Sequence, residues 1–160
     1  MKEIKIDVDF KVYSSLEELE SESKRLMLEA IEIRKKAYAP YSKFRVGAAI
    51  LLENGEIITG SNQENAAYPS GLCAERTAIF YVGANYPNEI IKAIAISACS
   101  DLKVTSGPIP PCGSCRQSMF EYEIKQDAPI KLFCMGGEGE IIESKSVGNI
   151  LPFHFDRSVL

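Results

Sequence analysis

The stretch GLCAERTA, residues 71–78, sets an acid two places after a cysteine where a helix begins. Cys73 follows a glycine that frees the backbone to turn, and Glu75 falls in the first helical turn, where a carboxylate complements the helix dipole. The only histidine, His154, lies near the far end of the chain. If Cys73 binds a metal, its partners must come from the other cysteines, and two of these stand together in PPCGSCRQ, residues 110–117.

Alone, C-x-x-C fits either a redox dithiol or half of a metal site. At a helix start both sulfurs lie near backbone N–H groups and the positive dipole end, which favours thiolate and serves either chemistry. Cys73 separates the two readings. Cys73, Cys112 and Cys115 make three thiolates on two helix N-termini, and a catalytic zinc keeps three protein ligands and one open position. A closed structural site needs a fourth, from Cys99, Cys134 or His154. Cys99 ends an apolar strand and Cys134 lies inside another, so both read as core thiols. His154, between Phe153 and Phe155, reads as a surface or core residue.

With a metal on three thiolates, Glu75 gains a role. The excess negative charge and burial raise a neighbouring carboxyl's pKa and suit it to exchange protons near neutrality. Arg76 is three residues after Cys73 and Arg116 four after Cys112, spacings that share a helix face. Both are expected to offset the thiolate charge, at least one by donating to a ligand sulfur.

Working outward, residues 4–12 alternate Ile4, Ile6, Val8, Phe10 and Val12 with charged residues, the period of a half-buried strand. Ser14 and Ser15, followed by Glu17 and Glu18, carry a capping-box signature for one helix running to Pro40. RVGAAILL (45–52) and residues 56–60 flank Asn54-Gly55, a two-residue hairpin signal. Helices are expected at 73–84 and 112–123, and strands at 90–98, 130–135 and 140–143. The pattern predicts an α/β fold, a mixed sheet of about five strands layered with helices. Residues 1–14 form an N-terminal extension and 15–160 a single catalytic domain.

At 160 residues, with 46% apolar and 25% charged side chains, the chain can bury a real core. Its net charge of −4 and lack of a basic stripe argue against nucleic acid as a partner. No apolar run approaches the ~20 residues that span a bilayer, so no membrane partner is expected. The N-terminus lacks a signal peptide's apolar block, and the five cysteines suit metal or catalytic use in a cytoplasmic protein.

CAE followed by P-C-x-x-C is the three-cysteine form of a zinc-deaminase signature. YSKFRVGAA (41–49), NQENAAYPSGLCAERTA (62–78) and PPCGSCRQ (110–117) resemble, in order, the blocks of the small homotetrameric cytidine deaminases. LPFHF (151–155) resembles their C-terminal block more loosely. The resemblance implies a three-layer α/β/α fold and one zinc per subunit on Cys73, Cys112 and Cys115. It implies hydrolytic deamination of cytidine and 2′-deoxycytidine through a zinc-activated hydroxide, with Glu75 shuttling protons, in pyrimidine salvage. It also places Asn62 and Glu64 on the ribose and Phe44 against the base. Ala66, Tyr68, Ala74 and Phe155 complete the substrate-binding set, with Ala66, Tyr68 and Phe155 reaching a neighbouring subunit's pocket. Three features depart from the family pattern: the strand ahead of the first helix, Asp156-Arg157 after Phe155, and Gln63 at a position commonly aliphatic.

Three other readings compete. A deaminase of another cytosine-bearing small molecule, of the blasticidin S type, shares the zinc motifs, but Asn62 and Glu64 favour ribose. A structural zinc module requires a fourth protein ligand and no turnover. A dithiol oxidoreductase requires an oxidisable Cys112–Cys115 pair and no metal.

Overall fold

Short alternating or continuously apolar segments become strands and the longer segments of helical spacing become helices in the computed structural model, which describes residues 1–160. In chain order these are β1 (Phe10–Tyr13), α1 (Ser21–Arg34), β2 (Phe44–Leu52), β3 (Ile57–Ser61), α2 (Ala74–Asn85), β4 (Ile91–Ser100), α3 (Gly113–Gln126), β5 (Lys131–Met135) and β6 (Ile141–Ser144). One sheet of order β1-β6-β5-β4-β2-β3 joins all the strands. Only β4 and β5 run parallel, connected through α3.

Three layers result. On one face α1 packs Leu26, Met27 and Ala30 against Ala49, Leu51, Ala95 and Phe133. On the other, α2 and α3 bring Ala78, Ile79, Cys115 and Met119 against Ala48, Ile50, Ile94 and Ile96. β2 and β4 are thus covered on both faces, which is why their sequences read as apolar runs with little alternation. Each fully buried isoleucine contributes about 1.5–3 kcal/mol by leaving water.

Two glycines set how closely the helices approach. A Cβ at Gly47 would stand 2.1 Å from the Ala30 carbonyl oxygen of α1. A Cβ at Gly60 would stand 2.7 Å from the Ala78 nitrogen and 2.8 Å from the Ala74 carbonyl oxygen of α2. The second contact seats the start of α2, and with it Cys73 and Glu75, directly on β3.

The structure differs from the sequence expectations in four places. The sheet has six strands, not about five, because β1 pairs antiparallel with β6. The strand expected over residues 4–12 is confined to Phe10–Tyr13, because β6 is itself short and supplies partners only from Ser144 to Ile141. The expected continuous helix is split. Ser15 caps a 3₁₀ turn at Leu16–Glu18, Leu19 is extended (φ −75°, ψ 146°) with its side chain buried, and α1 runs from Ser21 to Arg34 only, short of Pro40. The hairpin loop is longer than two residues: the Leu52 N–H donates to the Glu56 carbonyl, and Gly55 adopts φ 87°, the left-handed conformation of a bulged three-residue loop.

Candidate active site

β2 and β4 build the floor of the site. Their register sets Phe44 opposite Ser100 and Val46 opposite Ala98, so the start of one strand meets the end of the other. Lys43, at φ 57°, turns the chain sharply into β2. Above this floor lies a cavity of about 730 Å³. Phe44, Val46, Ile96, Ala98 and Ile109 give it apolar walls, and Asn62, Glu64, Glu75 and Arg76 give it polar groups.

Cys73 immediately precedes α2, Cys112 immediately precedes α3, and Cys115 lies in the first turn of α3. Their three Sγ atoms all lie within 4.8 Å of one another. Hydrogen bonding from Cys115, then from Arg76, pulls the Cys73 thiol down to about 5 against the opposing effect of burial. The same contact with Cys73, together with burial, pushes the Cys115 thiol up. The pair therefore shares a proton beside a thiolate, and a cation seated among the three sulfurs would replace that proton. Three soft donors at two positive helix ends, open to a cavity, fit one zinc ion. No fourth side chain joins the cluster, as a closed structural site would require.

Glu75 is buried in the first turn of α2 and lines the same cavity. Burial, reinforced by the charge of Cys73, raises its carboxyl above the ordinary range. The two arginines part company. Arg76 donates through Nη2 to Cys73 Sγ at 3.8 Å, and its buried Nε has no hydrogen-bond partner. Arg116 donates to two backbone carbonyls, Nε to Pro111 and Nη1 to Ile150, each at 2.9 Å. It ties the Cys112 loop to the C-terminal segment.

Asn62, also in the cavity lining, is held by β2. Its Oδ1 accepts from the Val46 N–H at 2.8 Å, and its Nδ2 donates to the Phe44 carbonyl at 2.9 Å. Glu64 Oε2 accepts from the Tyr41 and Ser42 N–H groups at 2.9 and 3.3 Å. The Ser42 hydroxyl and these N–H groups hold its carboxyl below the ordinary range. Both residues keep unused capacity, one amide hydrogen on Asn62 and further lone pairs on Glu64.

Among the expected substrate-binding residues, Phe44, Asn62, Glu64 and Tyr68 line the cavity of this chain. Ala66 is exposed, Ala74 is fully buried, and Phe155 is exposed outside that lining. Sequence reasoning passed over Tyr41, whose ring meets Tyr68 edge-on at 6.1 Å at the cavity wall. Its place in YSKF beside Phe44 was the available signal. Asn65 also lines the cavity, while its Oδ1 accepts from the Ala67 N–H in a local turn. His154 packs its ring against Phe120, centroids 4.1 Å apart and tilted by 49°, and takes no part in the sulfur cluster.

Comparison with known proteins accounts for this arrangement. Residues 20–127 match the family described as "Cytidine and deoxycytidylate deaminase zinc-binding region". A cytidine deaminase of Halalkalibacterium halodurans is 42% identical over 130 residues, covering 81% of this chain and 91% of that protein. One from Sporosarcina psychrophila is 40% identical over 136 residues, 85% of this chain and 93% of its own length. The crystal structure of cytidine deaminase from Burkholderia pseudomallei superposes with a TM-score of 0.68 at 39% identity, over 82% of this chain and 97% of that one. With its three-cysteine cluster and buried glutamate in that shared fold, the chain belongs to the cytidine and deoxycytidylate deaminase family.

Proposed function

We infer that the protein hydrolyses cytidine and 2′-deoxycytidine to uridine and 2′-deoxyuridine, releasing ammonia. One observation carries this reading. A buried carboxylate of raised pKa, Glu75, lines one cavity together with Cys73 and Cys112 of the three-sulfur cluster and with Asn62 and Glu64.

Cys73, Cys112 and Cys115 would hold zinc, which when bound supplies Lewis-acid activation of water. Glu75 takes a proton from the attacking water and passes it to N3 of the pyrimidine. It then helps return a proton to the leaving amino group as C4 exchanges nitrogen for oxygen. Burial suits one carboxylate to both steps, since each proton arrives before it is given away. Arg76 offsets sulfur charge at Cys73, and Arg116 acts by holding the Cys112 loop. Phe44 stacks on the base, and Asn62 and Glu64 take the sugar hydroxyls. A site built to pair those hydroxyls discriminates against free cytosine, which would leave its polar groups unpaired.

The same reading makes residues 15–160 the catalytic unit of a homotetramer with composite sites. Phe155 supports this, being a large aromatic side chain left 61% exposed outside the cavity of its own chain, whereas Tyr68, 75% exposed, already lines that cavity. Ala66, in the same exposed loop as Tyr68, accompanies Phe155. The product suits pyrimidine salvage in the cytoplasm, and no helix is long and apolar enough to cross a membrane. The test is to supply zinc-loaded protein with cytidine, 2′-deoxycytidine and free cytosine and to quantify deaminated product and ammonia. Turnover of the nucleosides with little of the free base is expected. Absence of nucleoside turnover would contradict the reading.

A further inference from the structure

β1 is an outer strand of the sheet, and the residues before it, 1–9, pair with no strand. A strand edge left open presents unpaired N–H and C=O groups to any chain that can match it. On one side of this segment Ile4, Ile6, Val8, Phe10 and Val12 are between 39% and 80% exposed. Val8 and Phe10 wall an apolar groove of about 480 Å³, completed by side chains including Pro111, Leu132, Ile142 and Ile150. The segment lies outside the matched family region, which begins at residue 20. Its apolar stripe has no role in the cavity described above.

The charges on the opposite side identify what could pair there. Glu3, Lys5, Asp7, Asp9 and Lys11 alternate with the apolar residues. When two copies of the segment run antiparallel about a two-fold axis through Asp7, Glu3 faces Lys11 and Lys5 faces Asp9. Each contact occurs twice by symmetry, and Asp7 alone meets its own kind. The same register sets Ile4 opposite Phe10 and Ile6 opposite Val8, keeping those apolar residues together, and only the outermost of the stripe, Val12, meets a charge, Lys2. Moving the axis to Val8 opposes Lys5 to Lys11 and Asp7 to Asp9. Moving it to Ile6 opposes Glu3 to Asp9, which offsets the Lys5–Asp7 contacts made in that register. An axis at Asp9 retains only the Asp7–Lys11 contacts and leaves Glu3 and Lys5 unmatched. A shift by one residue places charge against apolar side chains, because the side-chain period is two. The existing ion pairs do not block the favoured register. Lys5–Asp7 (3.0 Å) and Lys11–Glu143 (3.2 Å) leave both lysines more than 70% exposed.

We propose that the N-terminal segment is a self-complementary sheet edge that joins this chain to a second copy, antiparallel and centred on Asp7. Joining the arms of one assembly to those of a second, this isologous contact doubles the assembly that the remainder of the chain makes. Each copy covers the other's apolar stripe while the charge pairs fix register and orientation.

Charge exchange on the full-length protein tests this. Native mass spectrometry and light scattering over a dilution series would compare wild type, Lys5→Glu, Asp9→Lys, the double variant and an equimolar mixture of the single variants. Cytidine turnover per chain serves as the control for folding. The expected result is that each single variant has half the wild-type mass and associates at least ~10-fold more weakly, because both place like charges opposite each other. The double variant recovers the wild-type mass. The mixture recovers it as well, because each mixed pair again sets opposite charges together at both positions. Equal mass in wild type and single variants would overturn the proposal. So would single variants of halved mass that neither the double variant nor the mixture restores.

Discussion

Arg76 and Cys73 are joined by an N–H···S contact of 3.8 Å one turn into α2, and no other arginine donates to a clustered sulfur. Such a donor stabilises a thiolate in the same way that groups around metal ligands tune their basicity. Arg76→Ala should weaken zinc retention about 10- to 100-fold, read by competition with a chromophoric chelator. In zinc-free protein the Cys73 thiol should become less reactive near neutral pH. Unchanged retention and unchanged reactivity would remove Arg76 from this role.

Arg116 should behave differently. Its removal leaves the Pro111 and Ile150 carbonyls without their donor, a loss of about 1–3 kcal/mol of stability. Urea unfolding of zinc-loaded Arg116→Ala should show a lower midpoint. The chelator competition that exposes Arg76→Ala should move much less for this variant. An equal loss of zinc affinity in both variants would contradict the division of labour.

That division shows where sequence reading stops. Helical spacing placed both arginines on the same face as a cysteine, but the partner each guanidinium takes depends on chain segments distant in sequence. Arg116 reaches Ile150, which comes near only after β5 and β6 have folded back beside α3. The sulfur cluster was legible because its parts are local motifs at helix starts. The extent of β1 was not, because alternation shows which face a segment could bury and not how long a partner it will find. Leu19 is similar: its spacing fits a helix, yet its side chain is buried by extending the backbone between the capped turn and α1. Tyr41 enters the site through a backbone N–H bonded to Glu64, a contact between residues 23 apart that side-chain type does not reveal.

Glu64 should govern the sugar. Glu64→Gln keeps an acceptor for the Tyr41 and Ser42 N–H groups but removes the charge. Losing one charge-assisted bond predicts a fall of about 10- to 100-fold in kcat/KM for cytidine. The preference for cytidine over free cytosine should narrow with it. A variant that keeps full nucleoside preference would show that the sugar is held elsewhere.

Tyr13 should give the fold an alkaline limit. Its hydroxyl donates to the buried Glu143 carboxylate at 2.6 Å, and that hydrogen bond, with burial, raises the phenol to about 12 from 10.0. A raised pKa in the folded state means that the proton is held more tightly there than in the unfolded chain. The stabilisation is therefore complete below about pH 10 and lost as pH rises through 12. The stability difference between wild type and Tyr13→Phe, measured by urea unfolding, should be constant below pH 10 and shrink above it. A difference that does not change with pH would show that the hydroxyl proton plays no part.

The central claim is that Glu75 moves the protons while the cysteines hold the metal. Its most direct test is zinc content and cytidine turnover measured together for wild type and Glu75→Gln. Equal zinc, close to one per chain, is expected in both proteins, with turnover in the variant reduced at least ~100-fold. Equal turnover in the two proteins would contradict it.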